Sequence, residues 1–398
     1  MPVNTPGADA DPDEDALVEE FQTWLASNTR SEWRDIERHR PFDERARASR
    51  DWEAALGRAG WLGLTIPTEY GGRGMSMKGA ALIAAKLAEA GAPELFNTVG
   101  LDTVAPALVR YGTEEQKRRF LPAILAGQLW CQGFSEPDSG SDLASLKTRA
   151  EWQEDRFIVN GQKVWSSFAS VADYCILLAR TDPEAPKHRG ISCFLMPMSA
   201  PGLDVVPIRQ ITGDAEFFEL FLKDCELTPE DLLGPPGAGW RITMDVLSHE
   251  RNSMFTLLGT VHRDLEGLLD LIRSLPADAI GRAELESRAV DAFVRETIVQ
   301  WSNQRATECM AAGQPDVRLD STMKLTWSEL HQEMAKIAIA AVGPFGLVEA
   351  HDPSALDEGR WLFTYLHSRA ETIYAGTSEI HRNIIAERVL GLPRDQRA

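Results

Sequence analysis

The hydrophobic pattern of the chain changes its period twice, and this order of periods is what most constrains the fold. Residues 13–128 carry apolar side chains at helical spacing, with glycines at the ends of the helical segments. Short, strand-like segments occupy residues 129–240, and helical spacing returns over residues 241–398. The order predicts an α+β fold with a sheet domain between two helical domains. Residues 1–12, which are acidic and poor in apolar side chains, are expected to form a disordered tail.

Charge and cysteine usage exclude several classes of function. The formal net charge is −19, which disfavours a nucleic acid or an anionic membrane as the main partner. No apolar run is long enough to span a bilayer, and the acidic N-terminus lacks the apolar centre of a secretory signal. The five cysteines include no C-x-x-C pair, and the eight histidines show no metal-ligand spacing. A cytoplasmic protein without a metal site is therefore expected.

Two segments of the strand-rich region have groups that suit a planar cofactor with phosphates. Residues 131–142 read CQGFSEPDSGSD, a turn sequence that offers amide groups and hydroxyls to a pyrophosphate. Asn160-Gly161, between two strand-like runs, predicts a tight hairpin, and in its second strand Trp165 and Ser167 share one face. An indole ring beside a hydroxyl can stack on a flat heterocycle and hydrogen-bond to it. The alternatives are an ordinary polar turn and a core tryptophan beside a solvated serine.

Glu250 lies in the middle of an apolar helical face, which is a costly place for a carboxylate. The predicted helix covers residues 240–274, and the apolar positions on the face of Glu250 are Ile242, Val246, Leu247, Met254, Leu257, Leu258 and Val261. Burial raises the pKa of a carboxyl group, and a raised pKa suits a general base that works near neutral pH. The alternative is a buried ion pair with an arginine from another helix.

Four motifs, in this order, resemble the acyl-CoA dehydrogenase family over nearly the whole chain. They are GWLGLTIPTEYGGRG at residues 60–74, FSEPDSGSD at 134–142, VNGQKVWSS at 159–167 and IYAGTSEI at 373–380. The resemblance implies an N-terminal helical domain, a middle β-barrel domain and a C-terminal four-helix bundle. It also implies FAD as cofactor and an acyl thioester of CoA or of an acyl carrier protein as substrate. An electron acceptor such as an electron-transfer flavoprotein and a homodimer or homotetramer are implied as partners.

The resemblance also assigns roles to single residues. Contacts with FAD are implied for Phe134, Ser135, Ser141, Trp165, Ser167, Thr377 and Glu379. Contacts with the substrate are implied for Ser141, Arg251, Tyr374, Ala375 and Gly376, with backbone amides near Ala375 polarising the thioester carbonyl.

The position of the catalytic base distinguishes two branches of the family. Many members carry it where this chain has Ala375, which cannot accept a proton. A second branch carries it on the long helix, directly before an arginine, and Glu250 followed by Arg251 matches that branch. The predicted reaction is α,β-dehydrogenation, in which Glu250 removes the α-proton and the flavin N5 takes the β-hydride.

Two departures from the family pattern concern the adenine end of FAD. The usual Arg-x-x-Phe-Gly and Gln-x-x-Gly-Gly segments are replaced here by residues 281–288 and 340–346. How the adenine end of FAD is bound, and whether the oligomer consists of identical chains, therefore stay open. Two alternatives keep the fold: a flavin oxidase or monooxygenase, and a non-catalytic subunit of a heteromeric dehydrogenase. The presence of Glu250 counts against both.

Overall fold

The computed structural model describes residues 14–29, 40–90, 92–249, 254–311, 314, 316–349 and 352–393. The predicted N-terminal tail lies outside these ranges, as do Glu250 and Arg251. Within them, no helix combines the length and the apolar character that crossing a membrane requires. No group of His, Cys, Asp or Glu side chains in the same ranges is arranged to hold a metal ion.

Helices form the first part of the described chain, as the sequence predicts. They are α1 (Glu14–Asn28), α2 (Phe42–Arg58), α3 (Met77–Glu89), α4 (Ala105–Tyr111) and α5 (Glu114–Leu125), with a π-helical turn at Val99–Val104 before α4. A capping box starts α5: Thr113 Oγ1 accepts the Gln116 N–H at 3.2 Å, and Gln116 Oε1 accepts the Thr113 N–H at 3.0 Å. Trp52 and Leu56 of α2 are completely buried in the core of this domain.

Eight strands form one sheet in the middle of the chain. They are β1 (Trp130–Gly133), β2 (Arg149–Gln153), β3 (Arg156–Ser167), β4 (Tyr174–Arg180), β5 (Ile191–Pro197), β6 (Leu203–Ile208), β7 (Phe217–Leu227) and β8 (Leu232–Leu233). Their order is β6-β7-β3-β2-β4-β5-β8, and β1 pairs in parallel with β4. The sheet domain is therefore confirmed. Among the described pairings none joins β6 to β8, so its closure into a barrel stays a prediction.

The predicted hairpin at Asn160-Gly161 is wrong. β3 runs through both residues without turning, and the hairpin lies earlier, where Glu154-Asp155 connects β2 to β3. The Asn160 side chain donates to Asp224 Oδ1 at 3.0 Å and accepts the Asp224 N–H at 2.9 Å, while the register with β7 shifts at this point. Asn-Gly thus forms an irregularity inside a long strand, because pairing with β7 outweighs the local preference for a turn.

Helices return after the sheet and build a shared apolar core. They are α6 (Gly239–His249), α7 (Met254–Ser274), α8 (Arg282–Ala311), α9 (Val317–Val342), α10 (Arg360–Glu371) and α11 (Ser378–Ile384). Helices α7, α8, α9 and α10 all contribute buried side chains to one cluster around Trp327, which confirms the four-helix core. The predicted helix over residues 240–274 corresponds to α6 and α7. Ile242 and Val261, at the two ends of its predicted apolar stripe, are buried.

Candidate active site

A buried lysine joins the loop of residues 134–142 to β3. Lys163 is completely buried, and its Nζ donates to the Phe134 main-chain oxygen at 3.1 Å and to Glu136 Oε1 at 2.8 Å. One residue further along β3, the Val164 N–H donates to the Ser135 main-chain oxygen at 2.9 Å. The loop is therefore fixed along the strand that carries Trp165. The sequence motif includes Lys163, but sequence reasoning gave it no role.

Burial and hydrogen bonds shift the pKa values of both members of this ion pair. Burial lowers the pKa of Lys163, although the Glu136 carboxylate opposes that shift. Burial alone would raise the pKa of Glu136, but the charge and hydrogen bond of Lys163 and hydrogen bonds from Thr148 and from the Lys147 main chain hold it below its usual range. The main-chain N–H groups of Thr148 and Lys147 both point at this carboxylate. These amides lie 2.9 and 2.6 Å from the two carboxylate oxygens. Glu136 is therefore ionised inside the protein, as a paired buried carboxylate must be.

Trp165 points outward from an irregular part of β3. Its φ is 63°, in the left-handed region, and the register with β7 shifts between Lys163 and Ser166. The side chain is 58% exposed and meets Phe217 edge-on, at 6.2 Å between ring centroids. The next residue is buried and Ser167 is partly exposed, in agreement with the predicted faces. A non-glycine residue in this backbone region costs about 1–3 kcal/mol, and such strain is concentrated at ligand-binding sites.

The other predicted residues of the first loop differ in their access to solvent. Phe134 is buried in the N-terminal core, so its ring packs there and does not lie on an open surface. Ser135 is partly exposed and Ser141 is exposed. Beside Ser141, the Asp142 carboxylate accepts from Lys187 Nζ at 2.7 Å, an ion pair on the surface of the loop.

The segment Tyr374–Thr377 forms a turn between α10 and α11. Ala375 and Gly376 both have positive φ values, 51° and 90°. Thr377 Oγ1 accepts the Ile380 N–H at 3.2 Å and caps α11. The amide N–H groups of Ala375, Gly376 and Thr377 donate to no group in the part of the chain that the structure describes. Adjacent free amides of this kind form a concavity that binds anions and polarised carbonyl oxygens.

Main-chain oxygens in and before the same turn accept hydrogen bonds from two side chains. Lys324 of α9 is almost completely buried, and its Nζ donates to the main-chain oxygens of Glu371 at 2.7 Å and Gly376 at 2.8 Å. The His381 Nε2–H donates to the Ala375 main-chain oxygen at 3.0 Å. The main-chain oxygens of Ala375 and Gly376 are therefore occupied, whereas the amide groups of Ala375, Gly376 and Thr377 have no acceptor among the described residues.

A buried histidine fixes the end of α10, directly before this turn. His331 of α9 lies between two carboxylates, with Nδ1 2.7 Å from Glu371 Oε2 and Nε2 2.8 Å from Asp264 Oδ2. Burial opposes the charged imidazolium, but Glu371 and Asp264 together raise the pKa of His331 to about 10. His331 is therefore protonated at neutral pH and donates to both carboxylates. Sequence reasoning missed this cluster.

Further buried charges connect the turn to the end of β3. His367 lies 3.6 Å from Glu371 Oε1 and 3.8 Å from Glu216 Oε1, and Glu216 Oε2 accepts from Arg45 of α2 at 2.6 Å. The Glu216 main-chain oxygen accepts the N–H of Phe168, which follows Ser167, at 2.8 Å. Side chains of all three parts of the fold thus contribute to one row of ionisable groups between the two candidate site segments.

Three predicted site residues remain. Glu379 has an exposed side chain, 3.7 Å from Arg382, and its pKa lies below the usual range because of its own backbone amide and the Thr377 hydroxyl. Tyr374 is partly buried against the core of the helical bundle. Glu250 and Arg251 lie outside the described residues, so their placement stays a prediction.

Comparison with known proteins identifies the family of the chain. Family models described as the N-terminal, middle and C-terminal domains of acyl-CoA dehydrogenase match residues 11–128, 131–225 and 237–390. Acyl-CoA dehydrogenase IpdE1 of Mycobacterium tuberculosis is 39% identical over 95% of this chain and 98% of its own length. The same enzyme of Mycolicibacterium smegmatis is 38% identical over 94% of this chain and 97% of its own length.

Solved structures show the same fold. The Tcur3481-Tcur3483 steroid ACAD superposes with a TM-score of 0.82 at 28% identity, over 97% of this chain and 99% of that chain. The ChsE4-ChsE5 complex of Mycobacterium tuberculosis gives a TM-score of 0.79 at 29% identity, over 98% of this chain and 100% of that chain. The chain therefore belongs to the acyl-CoA dehydrogenase family and is an FAD-dependent oxidoreductase that dehydrogenates acyl-CoA thioesters.

Proposed function

We propose that Glu250 is the base of this dehydrogenation and that the turn Tyr374–Thr377 binds the thioester carbonyl. The observation that carries the proposal is the turn itself, with three successive amides free among the described groups and a methyl side chain at Ala375. A carbonyl oxygen held by such amides withdraws electrons and makes the α-proton more acidic. Because Ala375 cannot accept that proton, another base must take it, and Glu250 has the position and the following arginine that the second family branch requires.

The outward face of β3 supports a site for FAD. The exposed, strained Trp165 offers a ring on which the isoalloxazine can pack, and Ser167 offers a hydroxyl beside it. Further contacts are proposed for Phe134, Ser135, Ser141, Thr377 and Glu379, with Phe134 acting through its main chain because its ring is buried. When bound, FAD accepts the hydride from the substrate β-carbon.

The substrate contacts belong to the same proposal. We assign the thioester carbonyl to the amides of Ala375 and Gly376, with Tyr374, Ser141 and Arg251 beside the substrate. CoA and acyl-carrier-protein thioesters both fit this assignment, because the reacting groups are the same.

Anaerobic titration of the FAD-loaded protein tests the function directly. The panel contains butyryl-, octanoyl-, palmitoyl- and glutaryl-CoA, a CoA thioester with a steroid-ring acyl group, and an acyl carrier protein thioester. We expect one class to bleach the flavin absorbance, and the matching enoyl thioester to appear in equal amount. No bleaching by any member would contradict the proposal. Rapid oxygen consumption during turnover would instead favour an oxidase or monooxygenase.

An exposed apolar stripe on α8 supports an oligomer. The stripe follows one helical face, with exposed fractions between 49% and 68%, and consists of Val290, Phe293, Val294, Ile298 and Trp301. Exposed apolar patches on soluble proteins mark sites of protein–protein contact. We therefore propose a homodimer or homotetramer that uses this face. Two similar structures have names that couple two components, so a heteromer is the second outcome to test.

Replacing Phe293 and Trp301 together by glutamate is expected to lower the mass of the native particle to that of one subunit. Two charges in the stripe would have to be desolvated in the contact, which is unfavourable. Sedimentation velocity measures the mass, and Ile280→Glu, at a fully exposed apolar residue outside the stripe, is the control. An unchanged mass in the double variant would exclude this interface. A wild-type monomer that binds FAD only with a partner chain would indicate the heteromer.

A further inference from the structure

The side chain of Lys324 contacts the main chain at the turn that we assign to the thioester carbonyl. It starts from α9, and its Nζ bridges two main-chain oxygens, that of Glu371 at 2.7 Å and that of Gly376 at 2.8 Å. These oxygens lie on either side of Tyr374 and Ala375. The side chain is 3% exposed, so the ammonium group exchanges water for these two carbonyl groups.

Because the peptide bond is planar, a contact that holds a main-chain oxygen also fixes the direction of the N–H that follows it. In a trans peptide the C=O and the following N–H point in opposite directions. Lys324 holds the Gly376 oxygen, so the N–H of Thr377 must point away from α9. The His381 side chain holds the Ala375 oxygen in the same way, so the N–H of Gly376 points away from His381. Both amides donate to no group among the described residues.

The charge of Lys324 also strengthens one of these donors, the Thr377 N–H, because it shares a peptide with the Gly376 oxygen. A hydrogen bond from a cation to a peptide oxygen polarises the peptide and makes its N–H a better donor. Three carboxylates act on the ammonium group electrostatically: Glu371 of α10, Glu329 of α9 and Glu379 of α11. Burial lowers the pKa of Lys324 to about 8, although these carboxylates oppose the shift. The lysine is thus mostly protonated at neutral pH.

We propose that Lys324 is a positioning residue of the reaction: by holding the main-chain oxygens of Glu371 and Gly376, it fixes the turn between them so that the amides of this turn face the thioester carbonyl oxygen. The inference rests on the proposed role of this turn. Lys324 itself touches neither substrate nor cofactor in this assignment, and it acts through the backbone that it holds. Its contribution is greatest when negative charge develops on the carbonyl oxygen, because pre-oriented dipoles need no reorganisation at that moment.

Acetoacetyl-CoA is the probe for the test, because its enolate gives a long-wavelength absorbance band with oxidised flavin. The pH midpoint of that band reports how strongly the site polarises the carbonyl. We expect Lys324→Met in the FAD-loaded enzyme to raise the midpoint by roughly 2 units and to slow flavin reduction by the best thioester of the panel roughly 100-fold. The dissociation constant of the oxidised enzyme for that thioester should change much less.

Lys336→Met is the matched control, since Lys336 lies on the same helix with a half-exposed side chain near Glu333. It is expected to leave the midpoint and the rate unchanged. A merely structural role of Lys324 would lower the melting temperature and the FAD content but leave the midpoint unchanged in molecules that keep FAD. That result, or a wild-type reduction rate in Lys324→Met, would overturn the inference.

Lys324→Arg is the second variant, in case the methionine variant loses FAD. Arginine keeps the charge, but its planar group cannot direct both hydrogen bonds from the lysine position. We expect FAD to stay bound and reduction to slow at least about tenfold, whereas a wild-type rate would contradict the inference. If the wild-type flavin is bleached by no thioester, the proposed function fails. If the wild type and Lys324→Met are bleached equally fast, only the role of Lys324 fails.

Discussion

Replacing Glu250 by glutamine is expected to leave FAD bound and to abolish bleaching of the flavin by acyl-CoA within the time of a normal assay. Glutamine has the shape of glutamate but cannot accept a proton. The loss of a general base slows a reaction by roughly 10²- to 10⁴-fold. Stopped-flow absorbance under anaerobic conditions gives the rate, and the flavin-to-protein ratio shows whether the cofactor is retained.

Glu266→Gln provides the control for this variant. Glu266 lies on α7 with its side chain 66% exposed. Its replacement therefore removes a carboxylate from that helix without changing the proposed site. Reduction of Glu250→Gln at the rate of Glu266→Gln would remove Glu250 from the mechanism. The other family branch, which carries its base at the position of Ala375, suggests a rescue as well. Adding Ala375→Glu to Glu250→Gln should restore part of the rate, because it places a base in the turn itself.

The order of helices and strands could be predicted from the sequence because it depends only on the spacing of apolar residues. The four-helix core around Trp327 and the sheet over residues 130–233 follow from that spacing. Asn160-Gly161 shows the limit of local reasoning. Its turn preference is real, but the two hydrogen bonds between Asn160 and Asp224 come from a strand about sixty residues further along the chain.

The burial of Lys324 and His331 could have been predicted from the sequence, although it was missed. In α9, Lys324 and His331 follow the same three- and four-residue spacing as Trp327, Met334 and Ala338, all of which are buried. The count that singled out Glu250 would therefore have placed Lys324 and His331 inside the bundle. Their partners could not be predicted in this way, because Lys324 binds main-chain oxygens whose positions depend on the backbone of a distant turn.

Lys163→Met is expected to destabilise the middle domain by about 3–5 kcal/mol and to release FAD at concentrations where the wild type retains it. The substitution leaves the Glu136 carboxylate buried without its cation, and breaking a buried pair has this magnitude. It also frees the Phe134 main-chain oxygen, so the loop of residues 134–142 keeps only the hydrogen bond between the Val164 N–H and the Ser135 oxygen among the contacts with β3 described above. Urea unfolding followed by circular dichroism measures the loss, and flavin fluorescence measures the release.

The surface pair of the same loop provides the matched control. Lys187 and Asp142 lie 2.7 Å apart with side chains 44% and 66% exposed, and Lys187→Met is expected to cost about 1 kcal/mol or less. Adding Glu136→Gln to Lys163→Met should recover part of the stability, because it removes the unpaired charge. FAD release should persist in that double variant, because the Phe134 oxygen still lacks its donor. Recovery of both stability and FAD would mean that charge balance alone, and not the position of the loop, is what Lys163 supplies.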